Sequence, residues 1–120
     1  MNRRLAIVFS AAAVTVPLAP SAAATTPKKF VGPAIRMQYG WVRVTIFVSG
    51  KRMTKVSARA PRHNPESRQI NAYAVPILDK EALKTQRVRG VHKVSGASFT
   101  SFTFQRSLAK VMAKAGLPGA

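Results

Sequence analysis

Two neighbouring runs of alternating apolar and polar residues constrain the fold of this chain more than any other feature. In the first run the apolar residues are Val42, Val44, Ile46 and Val48, and the polar ones are Arg43, Thr45 and Ser49. In the second run Val56, Ala58 and Ala60 alternate with Lys55, Ser57 and Arg59. Successive side chains of a strand point to opposite faces, so each run predicts a strand with one buried face. Gly50 lies in the short polar segment between the runs, which predicts an antiparallel hairpin.

The residues that flank the hairpin are interpreted as a lead-in and a first helical region. Residues 25–35 contain two prolines and form the lead-in, and residues 62–67 form a polar loop. After that loop, Ile70, Ala74, Ile77 and Leu78 recur at helical spacing. Pro76 interrupts this pattern, because proline removes a helical hydrogen bond and clashes with the preceding turn. We therefore expect a short helical turn, then a second helix that is capped by Asp79 and runs to about Val88.

The C-terminal part of the chain predicts a final helix. Residues 89–94 are expected to cross back toward the sheet, and the helix is expected to start near Thr100 or Ser101. Its apolar stripe is formed by Phe104, Leu108, Val111, Met112 and Ala115, and Gly116 followed by Pro118 ends it. The predicted fold class is α+β, with a small antiparallel sheet, built on the N-terminal hairpin, packed against short helices and a C-terminal helix.

Residues 1–24 have the pattern of a secretory signal peptide. They combine Arg3 and Arg4, an apolar run, and small residues at Ala22 and Ala24. Cleavage is expected after Ala24, and retention of the segment as a membrane anchor is the alternative. The chain has no cysteine, which excludes disulfides, thiolate metal sites and a lipid anchor on an N-terminal cysteine. We expect an exported protein, extracytoplasmic or associated with the cell envelope, with one domain over residues 25–120.

The charge of the chain favours anionic partners. The 120 residues contain 20 Lys and Arg but only 3 Asp and Glu, a formal charge of +17, which falls to +15 without Arg3 and Arg4. Such a surface attracts polyanions, anionic membranes and acidic proteins, although the charge could also serve only to keep an exported protein soluble. The basic residues are spread along the chain rather than clustered on one periodic face, which argues against specific nucleic-acid binding.

A cluster of small hydroxyl residues stands out against a sequence with few other chemical groups. The stretch Val94–Ser101, VSGASFTS, places four hydroxyls in eight residues. Ser and Thr often begin helices, and a helix start rich in N–H and O–H donors is also suited to a phosphate. With three carboxylates and the isolated His63 and His92, the chain shows no catalytic acid–base pair and no metal-ligand pattern. No catalytic residue and no metal ligand is predicted.

The order of several short motifs resembles the FMN-binding domain family. These are Tyr39-Gly40 before an alternating strand, Pro61, SRQIN at 67–71, Ala74, Pro76-Ile77-Leu78, Glu81-Ala82-Leu83, Gln86, VSGAS at 94–98 and Thr100-Ser101. The family is the extracytoplasmic flavin domain found in the sodium-translocating NADH:quinone reductase and in related membrane electron-transfer complexes. The resemblance covers about residues 31–115, nearly all of the proposed domain. It implies that the cofactor is FMN, bound covalently or non-covalently.

The resemblance also implies which residues would bind the flavin. In this family a flavin transferase takes FMN from FAD and esterifies a hydroxyl in the motif Asp-x-x-(Ser/Thr)-Gly-Ala-(Thr/Ser). On this chain the acceptor position is Ser98, preceded by Ser95, Gly96 and Ala97, and Thr100 and Ser101 could bind the other phosphate oxygens. The motif's Asp is replaced by His92. Because that carboxylate is absent, the sequence leaves open whether a flavin transferase would modify this loop.

We therefore interpret the chain as an exported electron-transfer or flavin-carrier domain and not as an enzyme by itself. Its partners would be a redox protein or a quinone, a flavin transferase, and an anionic membrane surface. Tyr39, Trp41, Tyr73 or Phe99 could contact the isoalloxazine ring, or could be packing residues. The alternative is a secreted cationic protein that binds anionic envelope polymers and keeps only a degenerate flavin site, which His92 favours.

Overall fold

The computed structural model describes residues 26–120, so the predicted signal peptide lies outside the described residues. The elements are strands β1 (Lys28–Val31), β2 (Ile35–Met37), β3 (Gly40–Ser49) and β4 (Arg52–Arg59), helix α1 (Pro65–Thr85), a 3-10 turn (Val88–Gly90) and helix α2 (Ser98–Lys114). The strands form one antiparallel sheet, which confirms the α+β fold class. Over residues 26–120 no helix has the length and apolar character needed to cross a membrane.

The predicted hairpin is present as β3 and β4. The four alternating apolar residues of β3 all face the helices and are buried, together with Val56 of β4. Met53 is buried on the same face, although simple alternation from Val56 would point it outward. The register explains this, because Val48 pairs with Met53 and Phe47 pairs with Lys55, which leaves Thr54 as an extra residue. A β-bulge of this kind reverses the alternation beyond it.

The interpretation of residues 25–35 as a lead-in is wrong, because they contain β1 and the start of β2. Both strands pair with β3 along the same edge, β1 with Thr45–Val48 and β2 with Gly40–Val42. The chain between them, residues 32–34, contains Pro33, whose missing N–H interrupts the ladder. The strands were missed because each is only three or four residues long and shows no clear alternation, and because the partner of β1 is distant in sequence, whereas β2 joins β3 through a short turn.

A serine of α2 provides hydrogen-bond partners where the edge of the sheet is interrupted between β1 and β2. The Ser107 hydroxyl accepts the Val44 backbone N–H at 3.0 Å and donates to the Pro33 carbonyl at 2.8 Å. Gly32 donates its own N–H to the Val44 carbonyl, and a Cβ on Gly32 would lie 2.7 Å from that carbonyl oxygen. A glycine and a short hydroxyl side chain are therefore needed where the edge strand breaks.

The prediction of two short helices around Pro76 is also wrong, because α1 is one helix of 21 residues. Asn64 caps its start by accepting the Ser67 N–H at 2.7 Å, and Asp79 lies inside the helix rather than at a cap. Pro76 is on the exposed side, where water can satisfy the carbonyl that loses its donor. The opposite side packs on the sheet, and this packing stabilises the helix through the proline. The buried residues on that side are Ser67, Asn71, Ala74, Leu78 and Ala82.

Helix α2 begins at Ser98, two residues before the predicted start, and its predicted apolar stripe is confirmed. It packs against β3 and the broken edge, while α1 packs against β4. The helix ends at Lys114, and Gly116 follows it with φ +73°, a left-handed conformation that suits glycine. One core lies between the sheet and the helices, and its largest fully buried side chains are Phe104, Ile46, Met53, Leu78, Leu108, Met112, Val42, Val44 and Val111.

Candidate functional site

The hydroxyl-rich stretch forms a turn and the first turn of α2. Ser95, Gly96 and Ser98 are exposed, while Ala97 is buried and occupies the N-cap position. Gly96 has φ +83°, and nothing in the described chain lies within 4 Å of a Cβ built on it. No side chain of residues 26–120 caps this helix, in contrast to the Asn64 cap of α1. The first backbone N–H groups of α2 therefore remain available beside the Ser98 hydroxyl.

Thr100 and Ser101, the other two predicted site residues, are buried and have partners within the protein. Ser101 Oγ accepts the Val94 N–H at 3.0 Å and donates to the Ala97 carbonyl at 2.7 Å. Thr100 Oγ1 donates to Asn71 Oδ1 at 2.7 Å. Their hydroxyls are used to hold the turn and to join α2 to α1. Of the four hydroxyls in the stretch, those of Ser95 and Ser98 are the exposed ones.

Asn71 connects this helix start to a cavity beside α1. Its Nδ2 donates to the Pro61 carbonyl at 2.7 Å, while its Oδ1 receives the Thr100 hydroxyl. The cavity has a volume of about 850 Å³ and is open to solvent on one side. It lies between the ends of β3 and β4, the segment after β4, and α1, and its lining includes Gly40, Trp41, Arg59, Pro61, His63 and Asn71.

An exposed aromatic pair lies between the cavity and the helix start. Tyr39 and Phe99 meet edge to face, with ring centroids 6.1 Å apart and planes at 73°, and both are half exposed. Tyr39 precedes Gly40, a cavity residue with φ +140° whose added Cβ would lie 2.6 Å from Pro61 Cγ. Two of the four candidate aromatic residues are thus brought together. Trp41 borders the cavity from the sheet, and Tyr73 is exposed on α1.

His92, at the position of the motif's Asp, contacts a carboxylate from α1. Its backbone N–H donates to Glu81 Oε1, and its ring Nδ1 lies 3.3 Å from Glu81 Oε2. Accepting the His92 backbone N–H is the main reason why the pKa of Glu81 lies below its ordinary value. Glu81 therefore anchors the chain at residue 92, just before the hydroxyl-rich turn.

A second carboxyl group, Asp79, lies behind one wall of the cavity. Burial raises the pKa of Asp79 from 3.8 to about 7, and the nearby backbone N–H of Ala58, a cavity-lining residue, offsets this only in part. Its Oδ1 is buried without a hydrogen-bond partner within residues 26–120. Near neutral pH this carboxyl group is thus poised between its charged and neutral forms.

Sequence reasoning assigned no role to Asn71 or Glu81. Asn71 occupies a position of the buried stripe of α1 between Ser67 and Ala74, and a polar amide in such a stripe requires partners. This polar residue in a buried stripe was the sequence signal from which a structural role for Asn71 could have been predicted. The contact of Glu81 with His92 joins residues 11 apart through the end of α1, and local sequence patterns contain no signal for it.

Comparison with known proteins shows a similar fold but no family. No protein-family model matches the chain, and no curated protein sequence matches it. The crystal structure of the CPE2226 protein from Clostridium perfringens, a structural genomics target, is similar with a TM-score of 0.63. The two chains are 17% identical over 77% of this chain and 89% of that one. At this identity the similarity shows the shared fold alone.

Proposed function

We propose that this chain is an exported flavin-carrier domain that binds FMN at the start of α2 and beside the adjoining cavity. The observation that supports this best is the exposed Ser98 hydroxyl at a helix start without a side-chain cap, joined to the cavity wall through Thr100 and Asn71. FMN would supply the electron transfer, and the protein would bind and orient it. Its electrons would be exchanged with a redox protein or a quinone.

The residues present fit the phosphate end of FMN. The Ser98 hydroxyl oxygen and the unpaired N–H groups of the first turn lie together, where the helix dipole favours negative charge. Gly96 leaves open space on one side of this position. In this proposal Ser98, Ser95 and Gly96 surround the phosphate, while Thr100 and Ser101 keep the turn in shape through their internal hydrogen bonds.

The residues also fit the ring end of FMN. A cavity of about 850 Å³ lies within the usual size range of ligand sites and is larger than one flavin ring needs. Tyr39 and Phe99 provide apolar ring edges at its margin. Arg59, Arg62 and His63 line the cavity and no carboxylate does, so a reduced anionic flavin would be electrostatically favoured.

Covalent attachment is proposed at Ser98. A flavin transferase would supply FAD, the Ser98 oxygen would bond to the flavin phosphorus, and AMP would leave from that phosphorus with the Ser98 proton transferred to the leaving phosphate. The absent motif Asp is the main difference from the resembling family. The Glu81 carboxylate reaches the backbone at residue 92 instead, and we propose that it orients the loop in place of that Asp.

The direct test is the full chain expressed in a host that contains a flavin transferase, examined by intact mass and visible absorbance after denaturation. We expect an FMN-sized mass increment and flavin absorbance that remains with the denatured protein. Ser98→Ala should remove both, while Ser95→Ala, a matched exposed hydroxyl in the same turn, should keep them.

Two results would decide against the proposal. Retention of the increment in Ser98→Ala would place the attachment elsewhere. A colourless protein of unmodified mass that also fails to bind added FMN would show that FMN is not its cofactor. The alternative function, a cationic protein for anionic envelope polymers with a degenerate site, would then be the better explanation of the basic surface.

A further inference from the structure

The sheet has an outer face that neither helix covers. Side chains of β3 at 42, 44, 46 and 48 point to the core, so those at 41, 43, 45, 47 and 49 point away from it. We call this the basic sheet face and define it by six residues, which are Arg36, Trp41, Arg43, Phe47, Lys55 and Arg59. Among residues 26–120 nothing packs over it, and Trp41 is 41% exposed.

The charges of the basic sheet face are not balanced within the protein. Arg43 and Arg59 pair directly across β3 and β4, an arrangement of like charges that destabilises a sheet. The four strands contain no Asp or Glu, and all three acidic residues of the chain lie in α1. The sheet side of the domain is therefore cationic, and the carboxylates belong to an element packed on the opposite face.

Two aromatic rings lie between these cations. The Arg43 guanidinium lies 5.7 Å from the centre of the Trp41 ring, and the Lys55 ammonium lies 5.6 Å from the centre of the Phe47 ring. Each ring is thus covered on one side by a cation of the same sheet. The outer face of the sheet therefore carries apolar rings and positive charges side by side.

We propose that the basic sheet face docks on an anionic phospholipid bilayer. Lys and Arg next to such a surface are attracted by its headgroups, and Trp is favoured at the boundary between headgroups and acyl chains. A single-stranded nucleic acid would stack its bases on open ring faces. Here Arg43 and Lys55 each already occupy one ring face of Trp41 and Phe47, which leaves less open ring surface for bases.

The docking proposal does not depend on the flavin. It rests on the uncovered sheet, the opposed Arg43 and Arg59, and the rings between the cations. Trp41 also borders the cavity, so docking would place the cavity close to the bilayer surface. A domain held in this way would meet membrane-bound partners along the plane of the bilayer.

Vesicle binding of the purified protein tests the proposal. Vesicles of phosphatidylglycerol are compared with vesicles of phosphatidylcholine, and sedimentation gives the bound fraction. Trp41 is the only tryptophan of the chain, so its emission reports on this face alone. We expect binding to phosphatidylglycerol with a blue shift of Trp41 emission, no binding to phosphatidylcholine, and loss of binding at high salt.

Matched variants separate this face from the total charge. Arg43→Gln with Arg59→Gln removes two charges from the basic sheet face, and Arg106→Gln with Lys110→Gln removes two exposed charges from α2. The first pair should weaken phosphatidylglycerol binding roughly 30-fold and the second less than about threefold. Thermal unfolding checks that both variants are folded, and loss of the opposed arginines should not lower the melting temperature.

Three results would overturn the proposal. Equal weakening by the two variant pairs would show that net charge, not this face, binds the lipid. An unchanged Trp41 emission on phosphatidylglycerol would show that another surface makes contact. Tighter binding to polyglutamate or to oligo-dT than to phosphatidylglycerol would identify an acidic protein or a nucleic acid as the partner class.

Discussion

The hydroxyl groups of α2 and the turn before it fall into two groups, and the difference between them teaches which can act on a ligand. Thr100, Ser101, Thr103 and Ser107 face inward, and each hydroxyl has a hydrogen-bond partner within the protein. Ser95 and Ser98 face outward on the same short piece of chain. Serine occurs in both groups. Burial, not residue type, separates structural hydroxyls from those available for chemistry.

The inward group replaces backbone partners that the sheet and the turn lack. Ser107 serves the interrupted edge between β1 and β2, and Ser101 serves the backbone N–H of Val94. Buried backbone groups must be satisfied, so these contacts contribute to stability. The exposed hydroxyls of Ser95 and Ser98 do not replace such backbone partners. Substitutions should therefore separate stability from flavin binding.

The largest effect on stability is expected for Ser107→Ala. It leaves the buried Val44 N–H and the Pro33 carbonyl without their partner, which should lower the free energy of unfolding by about 2–3 kcal/mol. Ser98→Ala removes an exposed hydroxyl and should change it by less than about 0.5 kcal/mol. Urea denaturation of both variants measures the difference. Similar losses in the two variants would contradict the division into inward and outward hydroxyls.

A smaller effect is expected for Thr100→Val, which keeps the side-chain shape and removes the donor to Asn71. The free energy of unfolding should fall by about 1–2 kcal/mol because Asn71 Oδ1 loses a buried partner. Thr103→Val is the control, since its hydroxyl bonds only to the Phe99 carbonyl one turn back in the same helix. A double-mutant cycle with Asn71→Ala should give a coupling of about 1 kcal/mol. A coupling near zero would show that the link between α2 and the cavity wall carries no energy.

Asp79 is the exception among inward-facing polar groups of residues 26–120, because its Oδ1 has no partner. Its folded-state pKa is raised to about 7, so the native state binds a proton that the unfolded chain has already lost above its ordinary value of 3.8. The stability that protonated Asp79 contributes is therefore complete below pH 3.8, and it is lost as the pH rises toward 7.

Asp79→Asn should remove that part of the pH dependence and stabilise the protein above pH 7 by about 1 kcal/mol, since a neutral amide costs less to bury than a partly screened carboxylate. Urea denaturation between pH 4 and pH 8 measures the slope. Glu66→Gln, which removes an exposed carboxylate from the same helix, should leave the slope in place. An unchanged slope in Asp79→Asn would contradict the raised pKa.

Local patterns predicted the parts of the fold that are themselves local. Alternation in β3 and β4 and helical spacing in α2 identified most of the core, because burial imposes those periods. β1 and β2 were missed because three or four residues carry no period, and the pairing of β1 with β3 also joins residues that are far apart in sequence. The break at Pro76 was wrong because packing of Ala74, Leu78 and Ala82 on the sheet outweighs the local preference of one exposed proline.

The candidate site was predictable in part for the same reason. The small residues and hydroxyls of the turn at 95–98 are contiguous, so the sequence alone pointed to them. The Thr100–Asn71 bond and the Tyr39–Phe99 contact join residues 29 and 60 positions apart, and only the folded chain brings them together. The Thr100–Asn71 bond joins the start of α2 to a residue that lines the cavity.

Locating the flavin on the chain tests the division between the two groups most directly. Trypsin should release residues 94–106 as one peptide, because cleavage is expected after Lys93 and after Arg106. This peptide contains Ser95, Ser98, Thr100, Ser101 and Thr103 and therefore both groups of hydroxyls. For protein made beside a flavin transferase, tandem mass spectrometry should place an FMN increment on Ser98. An increment on Thr100 or Ser101, or none in this peptide, would contradict the proposed site.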